Sequence, residues 1–382
     1  MITKNTIKKF KEIETPFYYY DLNVLRSTLD VVKKESEHSG YEVHYAVKAN
    51  SNPRILSIIS SYGFGADCVS WNEIAIAISS GFKASEIVFA GVGKNNKEIE
   101  AALNADILCF NCESIQEIEV IDQLASKLGK TAHIALRINP YIDAHTHKYI
   151  TTGIAESKFG INTWELEDVL KKLSSLKNIK LIGIHFHIGS QISRLSVFKS
   201  LCTRINELQS WFSSHGVNLE IINVGGGLGI DYENPDKSPL FQEYFSLLNE
   251  FIDLLPGQRL HIEPGRSITG QCGSLISRVL YIKNGSNTTF AIIDAGMTDL
   301  LRPALYQAHH KIENLDSDGD IFRYDVVGPI CESADTFAKY IELPETKRGD
   351  LIAIRSAGAY GEVMASRYNM RNLPSSVFSD DI

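Results

Sequence analysis

A lysine closes the alternating stretch "EVHYAVKAN": Val43, Tyr45 and Val47 alternate with His44 and Ala46, so Lys48 stands at or just past the last pleat of a strand. The turn residues Asn50, Ser51, Asn52 and Pro53 follow it. An amine in that place is either an ordinary solvated charge or a group that condenses with a carbonyl, and taken alone the ordinary reading wins. Other residues of chemical interest lie further along. "NVGGGLG" carries Gly225, Gly226 and Gly227, a bare turn or a row of backbone N–H groups open to an anion. "HIEPGRS" carries Glu263 in an apolar strand end, where a buried carboxylate needs a cationic partner, with Gly265 and Arg266 just beyond it. "HFHIGSQ" holds His185 and His187, which we read as pointing apart and so as unable to share a metal. No metal site is expected. Cys109 and Cys112 lack a matching second pair and are read as incidental.

These residues matter only if the elements around them bring them together. From residue 42 the chain repeats a short apolar strand and an amphipathic helix: "VHYAV", "GADCV", "IVFAG", "DILCF", "HIALRI", "LIGIHF", "EIINV" and "RLHIE" are the strands. Eight such units fit a closed (β/α)8 TIM barrel better than an open doubly wound sheet. Lys48 then ends the first strand, Asp67 the second, "HFHIGSQ" the sixth, "NVGGGLG" the seventh and "HIEPGRS" the eighth. All fall at the mouth where such barrels keep their sites. Beyond residue 265 the rhythm changes to strands without regular helices, "SLISRVLYIKN", "TTFAIIDAG", "FRYDVVGPI", "FAKYIEL" and "DLIAIRSAGAY", which predicts a second, mainly antiparallel β domain. The expected division is residues 1–23, a strand "TPFYYYD" pairing with the C-terminal domain; 24–265, the barrel; and 266–382, the β domain.

Composition narrows the function. With 38 Lys and Arg against 46 Asp and Glu, the net charge of −8 disfavours nucleic acid as a partner. No apolar stretch is long enough to span a bilayer and the N-terminus has no signal-like run, so a cytoplasmic protein without a membrane partner is expected. The six cysteines are thinly spread and are expected to be reduced thiols. A lysine for a Schiff base, glycines and an arginine for a phosphate, a histidine for a ring face and a carboxylate for a pyridinium together describe pyridoxal 5'-phosphate. That combination is far more specific than its parts.

The order "YAVKAN", "HFHIGSQ", "NVGGGLG", "EPGR", "CESAD", "GAYG" resembles the diaminopimelate decarboxylases, of the alanine racemase-like fold class of pyridoxal phosphate enzymes, from roughly residue 15 to residue 375. The resemblance implies that Lys48 bears the cofactor, that His187 stacks on its ring, that Glu263 keeps the ring nitrogen protonated and that Asp67 lines the cofactor site. It implies a phosphate site of Ser190, Gly226, Gly227, Gly265 and Arg266, which Tyr360 reaches from a second subunit. "LLRPALYQAHH" gives Arg302 and Tyr306 as substrate contacts beside Arg266 and Tyr360, and "CESAD" gives Cys331 as proton donor and Glu332 as ligand for a distal ammonium. The activity implied is decarboxylation of meso-2,6-diaminopimelate at its D centre to L-lysine and CO2, the last step of lysine biosynthesis, in a homodimer with shared sites. Rival readings are an ornithine, arginine or carboxynorspermidine decarboxylase or a racemase of the same fold, a cofactor-free Schiff-base aldolase, and a non-catalytic carrier of the cofactor. "SWNEI", residues 70–74, departs from the family's glycine pair before glutamate, and the chain ends soon after "LPSSVFSDDI".

Overall fold

The computed structural model describes residues 2–142 and 158–382. They group into two units: one of residues 29–229 and 240–265, the other of residues 1–28, 230–239 and 266–382. Strands are numbered along the chain, β1 (Phe17–Tyr20) lying in the second of these units.

The first unit is a closed barrel of β2 (Glu42–Ala46), β3 (Gly65–Cys68), β4 (Ile87–Phe89), β5 (Cys109–Cys112), β6 (Ala132–Arg137), β7 (Ile179–His185), β8 (Ile221–Asn223) and β9 (Arg259–Ile262). All neighbours are parallel, and the ring closes where β2 meets β9 with Glu42 opposite His261. Short strands buried nearly end to end are what a sheet covered on both faces requires. The helices between them start on caps written in the sequence. Asn52 accepts from the N–H of Arg54 ahead of Pro53, and Asn95 and Glu98 form a reciprocal box. Each such cap is worth about 1 kcal/mol. The helix Ile115–Leu128 ends on Gly129 at φ 63°, a left-handed position that costs glycine nothing. The barrel predicted from the alternation is therefore present; only "DILCF" is displaced, the strand running instead over Cys109–Cys112.

The second unit is a mainly antiparallel sheet of β10 (Gly273–Asn284), β11 (Thr289–Ile293), β12 (Ile312–Asn314), β13 (Ile321–Val327), β14 (Thr336–Pro344), β15 (Leu351–Ile354) and β16 (Ser375–Phe378), in the order β12-β15-β10-β11-β13-β14. β1 pairs antiparallel with β10 and parallel with β16, and β11 pairs parallel with β13. Phe10, Phe17, Tyr19, Ile276, Leu351 and Ala353 pack into its core, with the Phe10 ring edge-on to those of Phe17 and Tyr19. Alternation did not reveal β12 or β16, which are three and four residues long. The grouping departs from a plain cut at residue 265 in that Ile230–Pro239 belongs with the sheet. Polar ties hold it there: Gln271 donates to the carbonyls of Pro235 and Lys237, and Arg355 pairs with Asp236 at 2.9 Å. Among the described residues no helix is long and apolar enough to cross a membrane.

Candidate active site

In the barrel unit, β2 runs into a single 3-10 turn, Val47–Ala49, which carries Lys48. Its Nζ donates to Asp67 Oδ2 at 2.7 Å. Asp67, the third residue of β3, is fully buried, and its Oδ1 has no hydrogen-bond partner among the described residues. Burial and the nearby Glu263 push the Asp67 carboxyl up, against the pull of Lys48.

Glu263 follows β9 and is buried, yet both its oxygens are used: Oε1 accepts from Asn223 Nδ2 at 2.7 Å and Oε2 lies 3.0 Å from His185 Nε2. Burial alone would raise this carboxyl; His185, Lys48 and His187 outweigh it and hold it well below the usual carboxylate range. A second cation facing this anion would add to that balance.

The glycines are close-approach positions. A Cβ on Gly226 would stand 2.2 Å from the carbonyl oxygen of Glu263, and Gly227, at φ 109°, would place one 2.6 Å from the carbonyl oxygen of Gly189. The loop after β8 thus lies flat against the loops after β7 and β9 with its backbone bare, as an anion cradle needs. Asn223 ties the pieces together, its Oδ1 accepting from the N–H of Gly225 at 2.9 Å while its amide donates to Glu263. Gly265 packs on Ala46 and Ala49, where a Cβ would be 3.0 Å from each methyl. Ser190 is half-buried on the loop after β7.

His185 and His187 call for a correction. Residues two apart share one face of a strand; what separates these two is that β7 ends at His185. His185 meets Glu263, while His187 Nδ1 accepts from the N–H of Gly226 at 3.4 Å. Burial, with Lys48 and Arg137 nearby, drives the His187 pKa well below its ordinary value, so the ring is neutral.

In the sheet unit the two arginines expected to meet substrate converge. Arg266 and Arg302 both donate through Nη1 to the hydroxyl of Tyr232, at 2.6 and 2.8 Å. Two guanidinium groups on one hydroxyl is an arrangement that an anion completes. Arg302, at the start of the short helix Arg302–Tyr306, is held from behind by His310, whose Nε2 accepts from it at 2.8 Å while Nδ1 donates to the Arg355 carbonyl at 2.9 Å. Tyr306 is half-buried at the other end of that helix. The Arg266 guanidinium also sits 4.7 Å from the centre of the Tyr360 ring of the same chain. Cys331 and Glu332 are exposed. Asn369 accepts from the Cys331 N–H at 3.2 Å and Tyr368 donates to Glu332 at 2.8 Å. Asp335 pins this loop by accepting from the N–H groups of Met297 and Ile330.

The "SWNEI" departure forms an ordinary helix start: Ser70 accepts from the N–H of Glu73, whose carboxylate accepts from that of Val69. Asn223, Tyr232, His310 and Asp335 were not singled out from the sequence. Only Asn223 had a visible signal, a polar residue ending an otherwise apolar strand beside the glycines.

Among the described residues the donor set suits pyridoxal phosphate: an amine at the strand end, a buried carboxylate able to face a ring nitrogen, a bare glycine cradle and a neutral histidine. The comparisons agree. Residues 24–270 match the sequence model of the pyridoxal-dependent decarboxylases, pyridoxal binding domain. A diaminopimelate decarboxylase of Bacteroides thetaiotaomicron is 55% identical over 379 residues, 98% of each chain. One from Helicobacter pylori is 43% identical over 366 residues, 95% of this chain and 89% of that one. The crystal structure of diaminopimelate decarboxylase from H. pylori complexed with L-lysine superposes with a TM-score of 0.93 at 40% identity, covering 98% of this chain and 94% of that one. This chain belongs to the pyridoxal-dependent decarboxylases and, among them, to the diaminopimelate decarboxylases.

Proposed function

We propose that this chain removes CO2 from the D centre of meso-2,6-diaminopimelate to give L-lysine, and that the residues described above divide the work. When bound, pyridoxal 5'-phosphate supplies a carbonyl that condenses with amines and a ring that accepts the electron pair left by departing CO2. Lys48 provides the amine that holds it. Glu263, kept ionised in a buried place by His185 and Asn223, keeps a proton on the ring nitrogen, and a protonated ring draws electrons far better than a neutral one. The neutral His187 offers a ring face. Ser190, Gly226, Gly227, Gly265 and Arg266 receive the phosphate. The ring of Tyr360 lies against the Arg266 guanidinium, which supports its expected place beside the phosphate.

At the substrate's far end, Arg302 and Tyr306 take the carboxylate and Glu332 the ammonium. The Cys331 thiol gives its proton to the carbon that lost CO2. Cys331 and Glu332 lie exposed on the chain, which supports a homodimer in which they complete the partner's site. Arg302 carries the substrate reading, because ornithine and cadaverine-forming substrates have no distal carboxylate for its guanidinium to pair. CO2 release is the test: meso-diaminopimelate should be turned over at least about a hundredfold faster, by kcat/KM, than ornithine, arginine or L-lysine, since each lacks a charged group the site pairs. Equal rates with ornithine would overturn it.

A further inference from the structure

Tyr232 stands in the loop "IDYENPDK", residues 230–237, which groups with the sheet unit. The loop is held along its length. Asp231 Oδ1 accepts from the N–H groups of Glu233 and Asn234, Pro235 follows, and Gln271 donates to the carbonyls of Pro235 and Lys237. The Tyr232 ring lies edge-on to that of His310, centroids 5.0 Å apart, and the Arg302 guanidinium sits 5.0 Å from its centre.

Arg302 is 4% exposed, and one of its nitrogens is fully engaged. Nη1 carries two hydrogens; the Tyr232 hydroxyl takes one at 2.8 Å and His310 Nε2 the other at 2.8 Å. His310 can accept because its Nδ1 donates to the Arg355 carbonyl at 2.9 Å, which leaves the lone pair on Nε2. A guanidinium is planar, so fixing Nη1 on two sides fixes the whole group. The Arg302 Nε is buried and has no hydrogen-bond partner among the described residues. Together Nε and Nη2 form the edge that grips a carboxylate with two parallel bonds, and a buried N–H is costly unless a ligand takes it.

Arg355 secures both supports of Arg302. Its carbonyl holds His310, while its guanidinium reaches Asp236 in the Tyr232 loop at 2.9 Å and Glu313 at 2.8 Å. Burial and the charge of Arg266 work against the charge on Arg302, and Tyr232 works for it. Without the Tyr232 hydroxyl the Arg266 and Arg302 guanidinium groups would lose the oxygen they share and would repel one another.

We propose that Tyr232 is a positioning residue for substrate selection: its hydroxyl, together with His310, sets the Arg302 guanidinium so that the Nε and Nη2 edge meets the distal carboxylate of the substrate. Tyr232 acts through Arg302, and the inference rests on the assignment of meso-2,6-diaminopimelate above.

The test compares wild-type and Tyr232→Phe holoenzymes, with rates expressed per site loaded with cofactor. For meso-diaminopimelate kcat/KM should fall at least about tenfold, mostly through a higher KM, since ground state and transition state alike lose a fixed guanidinium. Binding measured by titration calorimetry should divide in the same way. L-lysine keeps the distal carboxylate and should bind the variant at least about tenfold more weakly, whereas cadaverine, which lacks it, should shift by less than about twofold. Asp236 is 55% exposed, so Asp236→Asn, which frees one end of the loop, keeps the test open should Tyr232→Phe fail to fold. That variant should weaken L-lysine about threefold, again without a matching change for cadaverine. Equal weakening of L-lysine and cadaverine, or of neither, would make Tyr232 a packing residue and sink the inference. A wild type that turns over ornithine as fast as meso-diaminopimelate would instead remove the substrate assignment, and this inference with it.

Discussion

Glu263 illustrates how a single ionised group can be both expensive and necessary. Its burial costs free energy that His185 and Asn223 offset, so its charge exists there only because partners surround it. Glu263→Gln should retain the cofactor, measured by its visible absorbance after gel filtration, and lose about a hundredfold or more in kcat, since an amide cannot hold a proton on the ring. A wild-type rate would make Glu263 a structural residue only. Lys48, Glu263, Arg266 and the glycines were legible in the sequence because each is an unusual type at the end of a strand. Tyr232 and His310 were not, because their meaning lies in partners 34 and 8 residues away. No local pattern marks a tyrosine on which two arginines meet.

The elements show the same contrast. The barrel strands could be read from alternation and their helices from caps such as Asn52 and Asn95, because these signals are local. β12 and β16 owe their existence to strands distant in sequence that they pair with, β15 and β1. The short helix Arg302–Tyr306 likewise depends on His310, whose pKa burial and Arg302 lower to about 3. The sign of the resulting pH effect follows from proton counting. Between about pH 6.5 and pH 3 the unfolded chain binds a proton that folded His310 refuses, so stability falls as pH is lowered through that window, by up to about 1.4 kcal/mol per pH unit. His310→Gln should therefore lose less stability than wild type between pH 6 and about pH 4, measured as the shift in urea midpoint. Parallel shifts in the two proteins would show that His310 titrates normally in the fold.

For the whole molecule, the proposal that two chains share each site makes a quantitative demand. Cys331→Ala and Lys48→Ala chains should each be nearly inactive, yet after subunit exchange regain up to about a quarter of wild-type activity, because half the dimers are mixed and each has one complete site. No recovery, with exchange verified by mass-tagged subunits, would mean each site is built within one chain. The cysteines offer an independent view of assembly. Five of the six are buried, and Cys331 is exposed on the chain. A thiol reagent applied to the native protein should thus label one sulfur per chain, and the labelling rate should rise on dilution as dimers part. The residue assigned to deliver a proton then doubles as a clock for subunit dissociation.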